Sequence, residues 1–164
     1  MSGMDEQIAE HIPRLRRYAR ALTGNRARAD DLVQDTLERS WSRRHLWRPG
    51  TDLRAWLFTI MHNVHLNQVR RREPVAIDDE RLDMPVPASQ EDALALRDLQ
   101  HALERLPAEH REVLLLVGVE QMRYDEVACV LGVPIGTVMS RLSRARERLR
   151  ALMAGGAPVL RRIK

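Results

Sequence analysis

Tyr124 to Leu152 reads YDEVACVLGVPIGTVMSRLSRARERLRAL, and its spacing decides the fold. Val127, Ala128 and Leu131 share one face of a short helix. Gly132 falls where a left-handed residue ends a helix at low steric cost. Pro134 suits the first turn of a second helix, where its missing N–H is no loss. Val138, Leu142, Ala145, Leu149 and Leu152 then recur at steps of four, three, four and three, forming one apolar stripe. Thr137, Ser140, Arg141, Ser143, Arg144, Arg146, Arg148 and Arg150 occupy the other faces. A short helix, a Gly-containing turn and a basic second helix predict a helix-turn-helix whose second helix fits a DNA major groove. An ordinary hairpin with a solvated basic face is the plainer alternative. The turn residues weigh against it, as does the small patch of Gly136, Thr137, Ser140 and Ser143. Small residues let a helix approach base edges while Arg reaches phosphate or guanine.

Working outward, 164 residues hold one domain or two small ones. Charged residues make up 30% and aromatics 4%, which fits small helical domains better than a β-sandwich. The net charge of +4 is a mild lean towards an anionic partner. The single cysteine, Cys129, rules out an internal disulfide and is expected to be a small core residue. No apolar run approaches a membrane span and no signal peptide opens the chain, so a cytoplasmic protein without membrane insertion is expected. No Ser/His/Asp or Cys/His pairing, P-loop or paired-carboxylate site is present, and His62 and His65 lack metal-ligand spacing. Neither enzyme chemistry nor a cofactor or metal is expected.

The N-terminal half reads as three helices. Met1 to Asp5 is expected to fray. Ile8, Ile12, Leu15, Ala19 and Leu22 keep helical spacing, with Pro13 marking either the real start or a kink. Thr23, Gly24 and Asn25 close this helix. In the next, Asp31, Gln34, Asp35 and Glu38 share an acidic face, which reads either as a solvated stripe or as a docking surface. HLWRPGTD, residues 45–52, reads as a loop, with Asp52 a candidate cap. The third helix runs from Leu53 to about Arg72 on a stripe of Leu53, Leu57, Ile60 and Val64. Asn63 and Asn67 lie on one of its faces, and Arg70, Arg71 and Arg72 suit the C-terminal dipole. Residues 73–92, with three prolines and seven acids, read as an extended or disordered linker. Leu94, Leu96, Leu99 and Leu103 predict an amphipathic helix over 93–106. Val113 to Val117 predicts a buried helix at the centre of a four-helix domain. The residues from Ala154 read as a mobile basic tail.

LPAEHREVLLLVGVEQMRYDEVACVLGVPIGTVMSRLSRARERLR, residues 106–150, resembles region 4 of bacterial extracytoplasmic-function sigma factors of the sigma-70 superfamily. ADDLVQDTLERSW and DLRAWLFTIMHNVHLNQVRR resemble region 2 of the same family. The resemblance implies an all-α chain of two small helical domains joined by an acidic flexible linker. Region 2 would span 6–72, the linker 73–92, region 4 93–153 and a basic tail 154–164. It implies an alternative sigma factor that binds core RNA polymerase through the β′ coiled coil and the β subunit. Such a factor directs initiation at promoter DNA, answers to an anti-sigma factor, and is a monomer when free.

Residue by residue, the resemblance implies core-polymerase contacts at Asp31, Gln34 and Asp35, with Leu32 and Trp41 nearby. It implies −10 contacts to a melted strand at Asn63 and Asn67, with His62, Arg70, Arg71 and Arg72 near the backbone. It implies −35 contacts at Pro134, Gly136, Thr137, Met139, Ser140, Arg141, Ser143, Arg144 and Arg146. Two positions depart from the family. Met139 stands where a basic residue is common; it offers apolar contact, as to a thymine methyl, but no guanine fork. Arg123 stands where a Ser or Thr cap is common, so the helix begins more weakly or is capped by Asp125. Two other readings remain: a self-sufficient helix-turn-helix regulator, and a sigma mimic that titrates an anti-sigma factor.

Overall fold

The computed structural model describes residues 2–71 and 90–156, of which 2, 155 and 156 are described in backbone only. Seven α-helices are found among them and no strand: α1 Ser2–Thr23, α2 Arg26–Ser42, α3 Leu53–Arg71, α4 Gln90–Glu104, α5 Ala108–Gly118, α6 Tyr124–Leu131 and α7 Ile135–Gly156. The all-α expectation holds. No single helix among the described residues is long and apolar enough to cross a membrane. Arg72, the 73–89 part of the linker and the 157–164 part of the tail lie outside the described residues.

Several boundaries differ from expectation. α1 starts at Ser2 and passes through Pro13, so the proline does not mark the start of the helix. Core residues on both sides of it, Ile8 before and Leu15 after, hold the helix where one backbone bond is lost. α4 starts at Gln90, so the last residues assigned to the linker are helical; Glu91 and Asp92 in the first turn suit the positive end of the dipole. Leu94 and Leu99 of α4 are exposed, so its apolar stripe is buried only at the C-terminal end, through Ala102 and Leu103. Cys129 is exposed, not a core residue, because Val127, Val130 and Leu131 take the buried face of α6.

Local signals explain most of the helix ends. Asn25 Oδ1 accepts from Arg28 N at 2.9 Å and caps α2. Asp52 Oδ1 accepts from Arg54 N at 3.0 Å and caps α3. Gly132, at φ 67°, closes α6. The carbonyl of Pro134 accepts the first bonds of α7, from Thr137 N at 3.0 Å and Val138 N at 3.2 Å. Arg123 has no side-chain acceptor to offer α6. Glu126 instead reaches back to Arg123 N at 3.0 Å, satisfying one half of a capping box.

The core forms a single buried cluster that runs from α1 to α7. Leu15, Leu22, Leu32, Leu57 and Met61 fill the N-terminal part, and Val113, Leu116, Val127, Val138 and Ala145 the C-terminal part. Tyr18 meets Phe58 edge-on at 5.1 Å between ring centroids. α3 packs on α6, and α1 on both α4 and α5, so the two helical groups share an apolar boundary.

Candidate functional site

The helix-turn-helix comes first. Val127, Val130 and Leu131 of α6 and Val138, Leu142 and Ala145 of α7 are buried against each other and against α5. That packing fixes which side of α7 faces out. Pro134, Gly136, Met139, Ser140, Ser143, Arg144 and Arg146 are exposed, while Thr137 and Arg141 are half-buried. A Cβ added to Gly136 would meet nothing within 4 Å, so the helix surface there is open. Arg141 is drawn aside: its Nη2 lies 3.8 Å from Glu109 Oε2 of α5. Arg148 and Arg150 extend the exposed positive face towards the C-terminus.

α2 presents Asp31, Gln34, Asp35 and Glu38 to solvent, as the helical spacing predicts. Leu32 is placed differently from its assignment: it is fully buried, so it supports the helix from beneath and offers no surface to a partner. Trp41 is 49% exposed, with the Arg44 guanidinium 4.2 Å from its ring centroid.

On α3, Asn63 is exposed, Asn67 is half-buried, and Arg70 and Arg71 are exposed. Gln68, which the sequence did not single out, donates from Nε2 to Asp35 Oδ2 at 2.8 Å. That bond joins the acidic face of α2 to the polar face of α3. Beside it lies an open groove of 510 Å³ bordered by Asp35, Arg39, Arg43, Asn67, Gln68 and Arg71.

His62 faces the other way. Its Nδ1 lies 3.0 Å from Glu112 Oε2 of α5. His65 Nδ1 lies 3.2 Å from the other oxygen of the same carboxylate and is hydrogen-bonded to it. Sequence spacing gave these histidines no carboxylate partner; the fold brings one from a different helix. No group of three or more metal-capable side chains is found among the described residues. Glu112 is 4% exposed. Burial alone would push its carboxyl up, but hydrogen bonds and charge from His62 and His65 outweigh burial and hold it below its ordinary value.

Two arginines complete this junction. Arg54 Nη1 of α3 donates to Glu120 O at 2.9 Å, and its Nη2 lies 3.6 Å from Glu126 Oε2 of α6. Burial pushes the Glu120 carboxyl up, against the charges of Arg14, Arg54 and Arg17. Arg111 of α5 donates to four carbonyls: Leu22 O at 2.7 Å, Leu103 O at 2.7 Å, Glu104 O at 3.0 Å and Leu106 O at 3.0 Å. One guanidinium thus gathers carbonyls from the ends of α1 and α4, one of which, Leu103 O, also accepts from Leu106 N at 3.1 Å. The −10 candidate face therefore sits on a helix, α3, that this junction joins to α5 and α6, the helices on which α7 packs.

Comparison with known proteins identifies the arrangement. Residues 8–62 match the family model for the Sigma2 domain of PhyR, and residues 96–149 match Sigma-70, region 4. The chain is 38% identical over 154 residues to the ECF RNA polymerase sigma factor EcfG of Rhodopseudomonas palustris, covering 92% of this chain and 85% of that protein. Its fold superposes with a TM-score of 0.80, at 34% identity, on the sigma factor RpoE of Bartonella quintana solved with the anti-sigma factor NepR; the match covers 93% of this chain and 98% of that one. The anti-anti-sigma factor PhyR of the same organism, also solved with NepR, matches with a TM-score of 0.58 at 21% identity, covering 87% of this chain and 48% of that one, a likeness of fold alone. The chain belongs to the extracytoplasmic-function family of RNA polymerase sigma factors.

Proposed function

We propose that this chain binds core RNA polymerase and directs promoter-specific initiation in the cytoplasm, as a non-enzymatic factor restrained by an anti-sigma partner. The observation that carries the reading is the outward face of α7. Arg144, Arg146, Arg148 and Arg150 are exposed beside small, open positions at Gly136, Ser140 and Ser143. Cations positioned on phosphate beside a helix surface that admits base edges are what duplex reading requires.

The region 2 role is assigned to α1–α3 and the region 4 role to α4–α7, with residues 73–89 linking them. Asp31, Gln34 and Asp35 supply the core-docking face, with Trp41 at its end. Asn63 and Asn67 supply amides that can bond the edge of an unstacked base, and Arg70 to Arg72 hold the strand. Extruding a base requires a few kcal/mol, offset by binding of the melted strand and by polymerase contacts. His62 faces Glu112 across the junction, so its contact with DNA requires α3 to part from α5.

One observation favours a second reading, a mimic that titrates an anti-sigma factor. The model matched by residues 8–62 is named for PhyR. A mimic has no use for an exposed basic reading helix, which is why the sigma factor reading stands first.

Reconstituted transcription separates them. Purified protein is added to sigma-free core polymerase with a library of genomic fragments. Discrete start sites that depend on the protein are the expected result. Sequence-specific duplex binding without initiation would support a stand-alone regulator. Neither activity, with tight capture of an anti-sigma factor, would support the mimic.

A further inference from the structure

Val138, Leu142 and Ala145 of α7 leave almost no surface, and Leu149 and Leu152 pack against the core part-buried. Ile135 and Met139 break the pattern. They are 48% and 53% exposed, and neither belongs to the core cluster or packs against it. Both sit in the first two turns, one helical turn apart, next to the open position at Gly136. No acidic residue lies in that first turn, and Arg144 and Arg146 follow on the exposed side. The patch is therefore apolar at its leading end and cationic behind, which complements a groove walled by phosphates and floored by base edges.

Neither side chain carries a donor or acceptor able to sort bases by hydrogen bonding. In the major groove one base edge alone carries an apolar group, the 5-methyl of thymine. We propose that Ile135 and Met139 are specificity residues that select thymines in the −35 duplex by contact with their 5-methyl groups. This rests on the promoter-binding reading above. The two residues are separated by about 6 Å along the helix, from four steps of 1.5 Å. Successive bases on a strand are about 3.4 Å apart. The pair therefore reaches two thymines within about two base steps of each other, on either strand. Arg144 and Arg146 hold the helix against the backbone while the apolar pair tests the methyls.

The test uses holoenzyme assembled from core polymerase and the full chain. A −35 element is first selected from promoter duplexes randomised over that region. Each thymine in the selected element is then replaced singly by deoxyuridine, which removes the methyl and nothing else. Two positions within about two base steps are expected to lose about fourfold in binding each, the effect of leaving one methyl-sized group unburied. In holoenzyme carrying Met139→Ala one of the two penalties should vanish, and with Ile135→Ala the other. The scan on the unaltered protein stands by itself if a variant folds poorly. A selected element that tolerates deoxyuridine at every position overturns the methyl contact and leaves promoter reading intact. Failure to select any −35 element overturns both.

Discussion

Glu112 of α5 accepts a hydrogen bond from His65 Nδ1 of α3 at 3.2 Å, across the boundary between the two helical groups. The carboxyl is buried yet held below its ordinary value of 4.5, because hydrogen bonds and charge from the two histidines outweigh burial. A group whose folded value is depressed adds stability that is complete above 4.5 and is lost as pH falls through the folded value. Thermal unfolding of the native chain should therefore weaken below about pH 4.5 more steeply than that of Glu112→Gln. At pH 7 the variant should be less stable by about 1–3 kcal/mol, the range for disturbing a buried charged hydrogen bond. Parallel pH profiles for the two proteins would count against this role.

Arg111 carries a different part of the junction. Its guanidinium donates to carbonyls at the ends of both α1 and α4, with Leu22 O and Leu103 O each at 2.7 Å. Burial lowers its pKa, opposed by Glu104 and Glu112, but a guanidinium stays charged. Arg111→Met keeps much of the stem but removes every one of these charged bonds, leaving Leu103 O with only its bond from Leu106 N at 3.1 Å. The expected loss is about 3 kcal/mol or more, since charged hydrogen bonds contribute roughly 1.5–3 kcal/mol each and do not add fully. Urea unfolding measures it. Arg111→Lys should recover only part, because one ammonium cannot span carbonyls from two helices.

Leu32 and Asp35 separate packing from docking on one helix. Leu32 is fully buried and Asp35 is exposed. Leu32→Ala should cost about 2–5 kcal/mol of stability, the range for a buried leucine. Asp35→Ala should leave the unfolding midpoint nearly unchanged while weakening affinity for core polymerase. Its bond from Gln68 is exposed and contributes little by itself. Titration of labelled core polymerase against both variants decides the point. Unchanged affinity for Asp35→Ala would remove the docking role from this face.

What the sequence made legible follows from which forces are local. Helical period and turn chemistry placed α6, Gly132 and α7, because Val127, Val138, Leu142 and Ala145 report their burial through spacing alone. The acidic face of α2 was legible for the same reason. Cys129 and Leu94 were misplaced because a hydrophobic residue does not reveal whether a neighbour exists to cover it. Glu112 gave a readable hint: it lies three and four residues before the buried Leu115 and Leu116, so it shares their face. Its partners were not readable, since His62 and His65 come from a helix 47 to 50 positions away in the chain. Arg111 gave no hint at all, because its acceptors are backbone carbonyls at helix ends that only the assembled fold brings together.

Arg144 tests the reading helix most directly. It is exposed, and no salt bridge or hydrogen bond to it is found among the described residues, so its removal should leave the fold intact. Arg141 differs, since Glu109 Oε2 already lies 3.8 Å from its Nη2. If Arg144 holds a phosphate, Arg144→Ala lowers −35 duplex affinity about equally for all sequences and reduces the salt slope by about one counterion. If it reads guanine, the variant loses about 1–3 kcal/mol only where that base is present and relaxes selection there. Binding measured across a salt series, on selected and scrambled −35 duplexes, tells the two apart. Arg141→Ala should have the smaller effect, because its partner on α5 competes with DNA for the same guanidinium. Transcription from a −35-dependent promoter should fall with Arg144→Ala in either case, and output equal to the native chain would mean that this face of α7 does not meet the duplex.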